Sequence, residues 1–172
     1  MVKNLQKFDS LRKNIRMMIF DVDGTLTDGK IYMGNSGEVF KAFNIKDGCG
    51  IHDLLPKNQI VPVIITARTS DIVKNRCKEL KISECWQGER DKLSKMRELA
   101  EKYGIAPNAN DVYEEIAYVG DDIIDIKCME HCGIVACPND AVKEVKEISD
   151  FISAYNGGEG AVREFIEKVV EG

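Results

Sequence analysis

With 172 residues, 44% of them hydrophobic, and a formal charge of -5 from 24 basic and 29 acidic side chains, the chain can bury a sizeable core and is expected to form one domain over residues 1–172. No basic stripe or aromatic platform runs through it, so nucleic acid is excluded as an expected partner. Lys3, Lys7, Asp9, Arg12 and Lys13 interrupt the apolar residues before Asn14, and the best apolar run, Ile60 to Thr66, is seven residues long; neither a signal-peptide core nor a membrane span is expected, and a cytoplasmic location follows.

The first strand is expected at Met17 to Phe20, an apolar run that ends where Asp21-Val22-Asp23-Gly24-Thr25 begins. Asp is disfavoured inside strands, so both carboxylates fall on the turn that leaves this one, and Gly24 gives the turn its freedom. Two crowded carboxylates repel unless a cation joins them, and a hard, oxygen-loving ion such as Mg²⁺ suits the pair. An acidic turn with no chemistry is the competing reading. Next, Gly34-Asn35-Ser36-Gly37 has the composition of a tight turn between Lys30 to Met33 and Glu38 to Phe43, so a β-hairpin over about 28–44 should project beyond the Asp pair. A short helix is expected from Gly48 to Leu55.

Val61 to Ile65 reads as the next strand, ending on Thr66, whose hydroxyl can donate to an anionic oxygen beside Asp21. Ser70 to Leu80 has Ile72, Val73, Cys77 and Leu80 at helical spacing, and Glu84 to Trp86 is a weaker strand. Lys92 opens a helix reaching Tyr103. A cation there opposes the helix dipole, which a role facing an anion would explain; a solvated surface lysine is the alternative. After the loop Gly104 to Asp111 comes a strand at Ile116 to Val119, followed by Gly120-Asp121-Asp122-Ile123-Ile124-Asp125. This second acidic cluster could complete an oxygen-only cation site with Asp21, or simply cap a helix.

Strands at Gly133 to Ala136 and Phe151-Ile152, and a helix from Ala161 to Val170, close the series. Alternation of apolar strands with amphipathic helices predicts an α/β, Rossmann-like parallel sheet with helices on its faces. The six cysteines form no Cys-x-x-Cys pair and are expected to be thiols. A metal site drawn from Cys128, His131, Cys132 and Cys137 fits no common spacing.

Asp21-x-Asp23-Gly24-Thr25, a strand-end Thr66, Lys92 and Gly120-Asp121-Asp122 with Asp125, in that order, resemble the four motifs of the haloacid dehalogenase-like superfamily over Met17 to Val170. The resemblance implies Asp21 as nucleophile forming an aspartyl-phosphate, Asp23 as general acid and base, and Thr66 and Lys92 as phosphoryl binders. It also implies Mg²⁺ on Asp21, Asp121 and the Asp23 carbonyl, with Asp122 and Asp125 standing behind these ligands. Only 43 positions separate Asp23 from Thr66 and 26 separate Thr66 from Lys92, which leaves no room for a sizeable cap domain.

Three further strings, Leu26-Thr27-Asp28-Gly29, Phe43 to Gly48 with Gly50-Ile51, and Gly157-Gly158-Glu159-Gly160-Ala161-Val162-Arg163-Glu164, are similar to those of capless 3-deoxy-D-manno-octulosonate 8-phosphate phosphatases. That similarity implies a homotetramer in which a neighbouring subunit covers the active site, and a glycine-rich tail, about 156–172, whose Gly157 and Gly158 meet substrate. It further implies that Arg68 meets the sugar-acid carboxylate; a surface ion pair is the alternative. Ala67, Ile124 and the longer Gly104 to Asp111 loop depart from the pattern. A phosphatase acting on nine-carbon sugar-acid 9-phosphates, a non-catalytic oligomerisation module like those fused to sugar-nucleotide synthetases, and a phosphotransferase remain alternatives.

Overall fold

The computed structural model describes residues 1–3 and 5–171. Its strands are β1 (Met17–Phe20), β2 (Tyr32–Gly34), β3 (Gly37–Phe40), β4 (Val61–Thr66), β5 (Glu84–Gln87), β6 (Tyr113–Val119), β7 (Cys132–Cys137) and β8 (Phe151–Ile152). Six of them build one sheet in the order β5-β4-β1-β6-β7-β8, each neighbouring pair parallel. From β1 the chain steps outward to β4 and β5, then returns to lay β6, β7 and β8 on the other side. The crevice where that direction reverses, above the carboxyl ends of β1, β4 and β6, is where open sheets of this kind bind ligands.

The helices are α1 (Leu5–Leu11), α2 (Ile45–Cys49), α3 (Leu55–Lys57), α4 (Asp71–Glu79), α5 (Lys92–Lys102), α6 (Ile123–Met129), α7 (Lys143–Ile148) and α8 (Ala161–Glu171). Strand alternation divides the core between the two faces of the sheet. Met18 and Phe20 of β1 join Val73, Val162, Phe165 and Ile166 on one face, while Met17 and Ile19 join Leu93, Met96, Leu99 and Val145 on the other. All four β1 residues are fully buried, as an apolar run in a parallel sheet covered on both sides requires.

The α/β class and both sheet-flanking layers agree with the sequence expectation, and local boundaries move for identifiable reasons. The expected Gly48–Leu55 helix starts at Ile45, because the Asn44 side chain accepts a hydrogen bond from Lys46 N at 2.8 Å and caps it. It then passes through a wider turn over Gly50–Leu54 into α3. The weak Glu84 segment does enter the sheet as edge strand β5, its buried carboxylate accepting from Lys102 Nζ at 2.6 Å and Tyr103 OH at 2.7 Å. α1 was not expected; Phe8 buries it against Phe151 and Phe165, with ring centroids 6.5 and 6.3 Å away.

Beyond the sheet, β2 and β3 pair antiparallel as the projecting hairpin, and a bridge between Thr27 and Phe43 closes its base. No other insertion stands over the crevice among the described residues, so the site has no cap domain. All six cysteines are thiols, and folding brings Cys77 and Cys85 together with sulfurs 2.9 Å apart. No helix among the described residues is long and apolar enough to cross a membrane.

Candidate active site

At the end of β1 the Asp21 amide donates to Val119 O at 3.0 Å, and the chain folds back so that Leu26 N and Thr27 N both reach Val22 O, at 2.9 and 3.1 Å. This tight loop crosses in front of β6. Gly24, at φ +92°, passes so close to Asp121 that a Cβ would lie 2.0 Å from its Oδ2, so no side chain is tolerated there. Thr25 Oγ1 donates to Asp121 Oδ1 at 2.9 Å and anchors that carboxylate to the same loop.

Lys92 is the first residue of α5 and only 2% exposed. Its Nζ lies 2.6 Å from Asp125 Oδ1 and 2.8 Å from Asp21 Oδ1, so the cation that opposes the dipole of its own helix does face anions. Asp125 is fully buried and engaged on both oxygens: Tyr118 OH donates to Oδ1 at 2.7 Å, and the amides of Asp121 and Asp122 donate to Oδ2 at 3.1 and 3.3 Å. Asp122 itself is exposed and caps α6 through Ile123 N at 2.8 Å, the helix-capping alternative for that residue. Thr66 is buried at the carboxyl end of β4, level with the loop that follows β1.

These placements crowd negative charge out of water. Burial and the neighbouring Asp125 push Asp21 up to about 6 despite Lys92; burial, then Asp21 and Asp125, push Asp121 up to about 8. Burial works against the Lys92 ammonium, but Asp21 and Asp125 more than offset it and hold its pKa above the ordinary value. One oxygen from each of Asp21, Asp121 and Asp125 lies within 4.8 Å of the others. Asp21 Oδ1, although close to Lys92, accepts no well-directed hydrogen bond. With Asp125 held by four donors, the unused coordination capacity lies on Asp21 and Asp121, and this all-oxygen, under-neutralised set fits a hard divalent cation.

A second ion network lies on the hairpin side and joins residues that sequence reasoning passed over. Lys41, just beyond β3, is buried and pairs with Asp23 and, at 3.1 Å, with Glu38 Oε1. Glu38 also accepts from Arg68 Nη2 at 3.1 Å and Ser70 Oγ at 2.8 Å. Arg68 therefore does form an ion pair, to the hairpin, while its buried Nη1 has no hydrogen-bond partner. The only signal for Lys41 was a lone cation inside Val39-Phe40-Lys41-Ala42-Phe43; Tyr118 gave none beyond a hydroxyl in a buried run.

The glycine-rich tail sits on the Asp21 loop. Gly158 N donates to Thr25 O at 3.1 Å, Gly157 N donates to Asp140 Oδ1 at 2.9 Å, and a Cβ on Gly157 would fall 1.8 Å from Gly24 O. Close backbone packing thus accounts for both glycines. In sum, Asp21, Lys92, Asp121 and Asp125 meet directly, Asp23 and Arg68 share the hairpin network, and Asp122, Gly157 and Gly158 hold backbone in place.

A family profile described as haloacid dehalogenase-like hydrolase matches residues 79–166. The chain is 46% identical over 152 residues to the 3-deoxy-D-manno-octulosonate 8-phosphate phosphatase KdsC of Salmonella typhi, covering 88% of this chain and 77% of that protein. The crystal structure of the Moraxella catarrhalis phosphatase of that name, in complex with a magnesium ion, a phosphate ion and a KDO molecule, superposes with a TM-score of 0.89 at 35% identity, over 98% of this chain and 92% of the other. A cobalt-bound form of the Haemophilus influenzae deoxy-D-mannose-octulosonate 8-phosphate phosphatase gives a TM-score of 0.86 at 32% identity, over 94% and 90%. The carboxylate and lysine cluster at the sheet's switch point and the extent of these similarities lead to one assignment: the chain belongs to the haloacid dehalogenase-like hydrolases, in their capless 3-deoxy-D-manno-octulosonate 8-phosphate phosphatase branch.

Proposed function

We propose that this phosphatase uses Mg²⁺ to hydrolyse 3-deoxy-D-manno-octulosonate 8-phosphate to the free sugar acid and phosphate through an aspartyl-phosphate on Asp21. The observation that carries the reading is the position of Asp21, flanked by the buried Lys92 ammonium at 2.8 Å and by the unneutralised Asp121 carboxylate. Asp21 attacks phosphorus as the bond to the sugar oxygen breaks, and Asp23 gives its proton to that oxygen. Asp23, now a carboxylate, takes a proton from the water that attacks phosphorus and frees Asp21. Thr66 and Lys92 bind phosphoryl oxygens, and positioning with charge neutralisation does most of the work. Mg²⁺ held by Asp21, Asp121 and the Asp23 carbonyl would neutralise charge on the phosphoryl group. Asp122 and Asp125 stand behind these ligands, and Gly157 and Gly158 support the loop that bears them.

Arg68, with a buried unpaired Nη1, is the group that meets the sugar-acid carboxylate. Phosphate release from eight- and nine-carbon sugar-acid phosphates and from hexose phosphates, with Mg²⁺ and then with chelator, tests the whole reading. A strong, chelator-sensitive preference for the 8-phosphate is expected. Preference for a nine-carbon 9-phosphate would overturn the substrate, and silence across the panel would overturn catalysis.

The same reading makes the protein a cytoplasmic homotetramer in which a neighbour covers the open crevice. Its support is the hairpin, which exposes Ile31, Met33, Val39 and Phe40 to between 50% and 64%, an apolar patch larger than isolated surface residues explain. Sedimentation is expected to give a tetramer that Val39→Asp dissociates; a monomer in the unmodified protein would remove the lid.

A further inference from the structure

We propose that Lys41, carried by the hairpin, is a positioning residue for Asp23, and that Glu38 locks Lys41 and Arg68 into one network so that the hairpin aligns the acid group with the sugar-acid end of the substrate. This rests on the phosphatase mechanism proposed above and adds a part of the site that none of its motifs contains.

The two carboxylates of the Asp21-x-Asp23 turn are each met by a different buried lysine. Lys92 takes Asp21 and Asp125; Lys41, with its side chain 1% exposed, takes Asp23 and Glu38. A buried ammonium is retained only when it is paired. The pairing has a direction: Asp23 sits on a loop and keeps 21% of its side chain exposed, so it has other rotamers to visit, whereas Lys41 is fixed between the end of β3 and the Thr27–Phe43 bridge. Lys41 meets Asp23 at Oδ1 and has Glu38 as its second anionic partner, which leaves Asp23 Oδ2 to carry the proton; holding that acid group in one rotamer is what proton transfer to a leaving oxygen requires.

Glu38 extends the device. It contacts Lys41 Nζ and Arg68 Nη2, both at 3.1 Å, and Ser70 Oγ at 2.8 Å. The hairpin is thereby tied to the loop that follows Thr66, and one carboxylate sets the distance between the proton donor and the guanidinium. Without the Lys41 charge, Asp23 would lose its cation and turn away, while Glu38 would stay on Arg68 and Ser70.

Lys41→Met, which keeps the length and removes the charge, tests the proposal against Lys41→Arg and Glu38→Gln, with thermal unfolding of each. In wild type, turnover of both the sugar-acid phosphate and p-nitrophenyl phosphate is expected. In Lys41→Met, kcat on the sugar-acid phosphate should fall ~10²-fold with KM nearly unchanged. Nitrophenolate leaves without needing a proton, so the variant should still release a burst of one equivalent per site, then stall as aspartyl-phosphate that Asp23 no longer helps to hydrolyse. Lys41→Arg should recover a large part of kcat, and Glu38→Gln should raise KM for the sugar acid while leaving KM for the aryl phosphate alone. An unchanged kcat in Lys41→Met, or a loss carried by KM, would overturn the positioning role. If Lys41→Met does not fold, Lys41→Arg and Glu38→Gln decide it: wild-type kinetics in both would overturn the proposal. A wild type inactive on both substrates would instead bring down the phosphatase mechanism, and this inference with it.

Discussion

Asp21→Asn is expected to abolish turnover, by more than roughly 10³-fold, while the protein folds and melts at or above the wild-type temperature without metal. The amide is isosteric but cannot act as a nucleophile, and among the described residues no other carboxylate has the same contact with Lys92 at the mouth of β1: Asp125 meets Lys92 but is held by Tyr118 and two amides. Stability should not suffer, because Asp21 is 6% exposed and raised to about 6 by burial and by Asp125. Removing one charge from a repelling cluster relieves strain that the fold otherwise tolerates. Phosphate release, thermal unfolding and intact mass after incubation with substrate check the prediction together. A phosphorylated mass in wild type that is missing from the variant would identify the acceptor; near wild-type activity in the variant would sink the nucleophile assignment.

The second large effect is a stability that falls as pH rises and returns with Mg²⁺. Asp21 and Asp121 have folded pKa values of about 6 and about 8 against an ordinary 3.8. Well below pH 3.8 both are protonated folded or unfolded, and neither costs anything. As pH rises, the unfolded chain ionises first and is favoured, so the folded state loses ground until Asp21 and finally Asp121 ionise in place. Other carboxylates titrate in the opposite sense, so the difference between wild type and Asp121→Asn isolates the effect. In metal-free protein that difference should grow by on the order of 2–5 kcal/mol between pH 4 and pH 8 in favour of the variant. Mg²⁺ should restore wild type by mass action, most strongly at pH 8, and do little for Asp121→Asn. A flat difference across this range would show that the carboxylates are neutralised without a metal.

Which residues were legible beforehand follows from the range of the forces that place them. Asp21, Asp23, Thr66 and Asp121 each stand within three residues of the end of an apolar run and Lys92 stands at a helix start, and the end of a strand is a local event: side-chain polarity and backbone propensity decide it within a few residues. The same holds for the hairpin, whose Gly34 and Gly37 mark the turn in the chain itself. Helix α1 failed this test because its only buried residue, Phe8, gains its partners from Phe151 and Phe165, far along the chain.

Local patterning along the chain was enough to set the alternating α/β order, the carboxyl-edge position of the acidic clusters and the short spacing that leaves no room for a cap. Tertiary structure alone decided that Lys92 reaches across to Asp125 as well as Asp21, that Thr25 and Gly24 press against Asp121, that the glycine tail seats on the Asp21 loop, and that Lys41 pairs with Asp23. Each of these joins segments whose approach depends on how the sheet orders β1 between β4 and β6 and how the hairpin folds back at Thr27 and Phe43. Close packing and buried ion pairing act over a few ångströms in space and carry no fixed spacing along the chain, so their partners become visible only once the strands are in register.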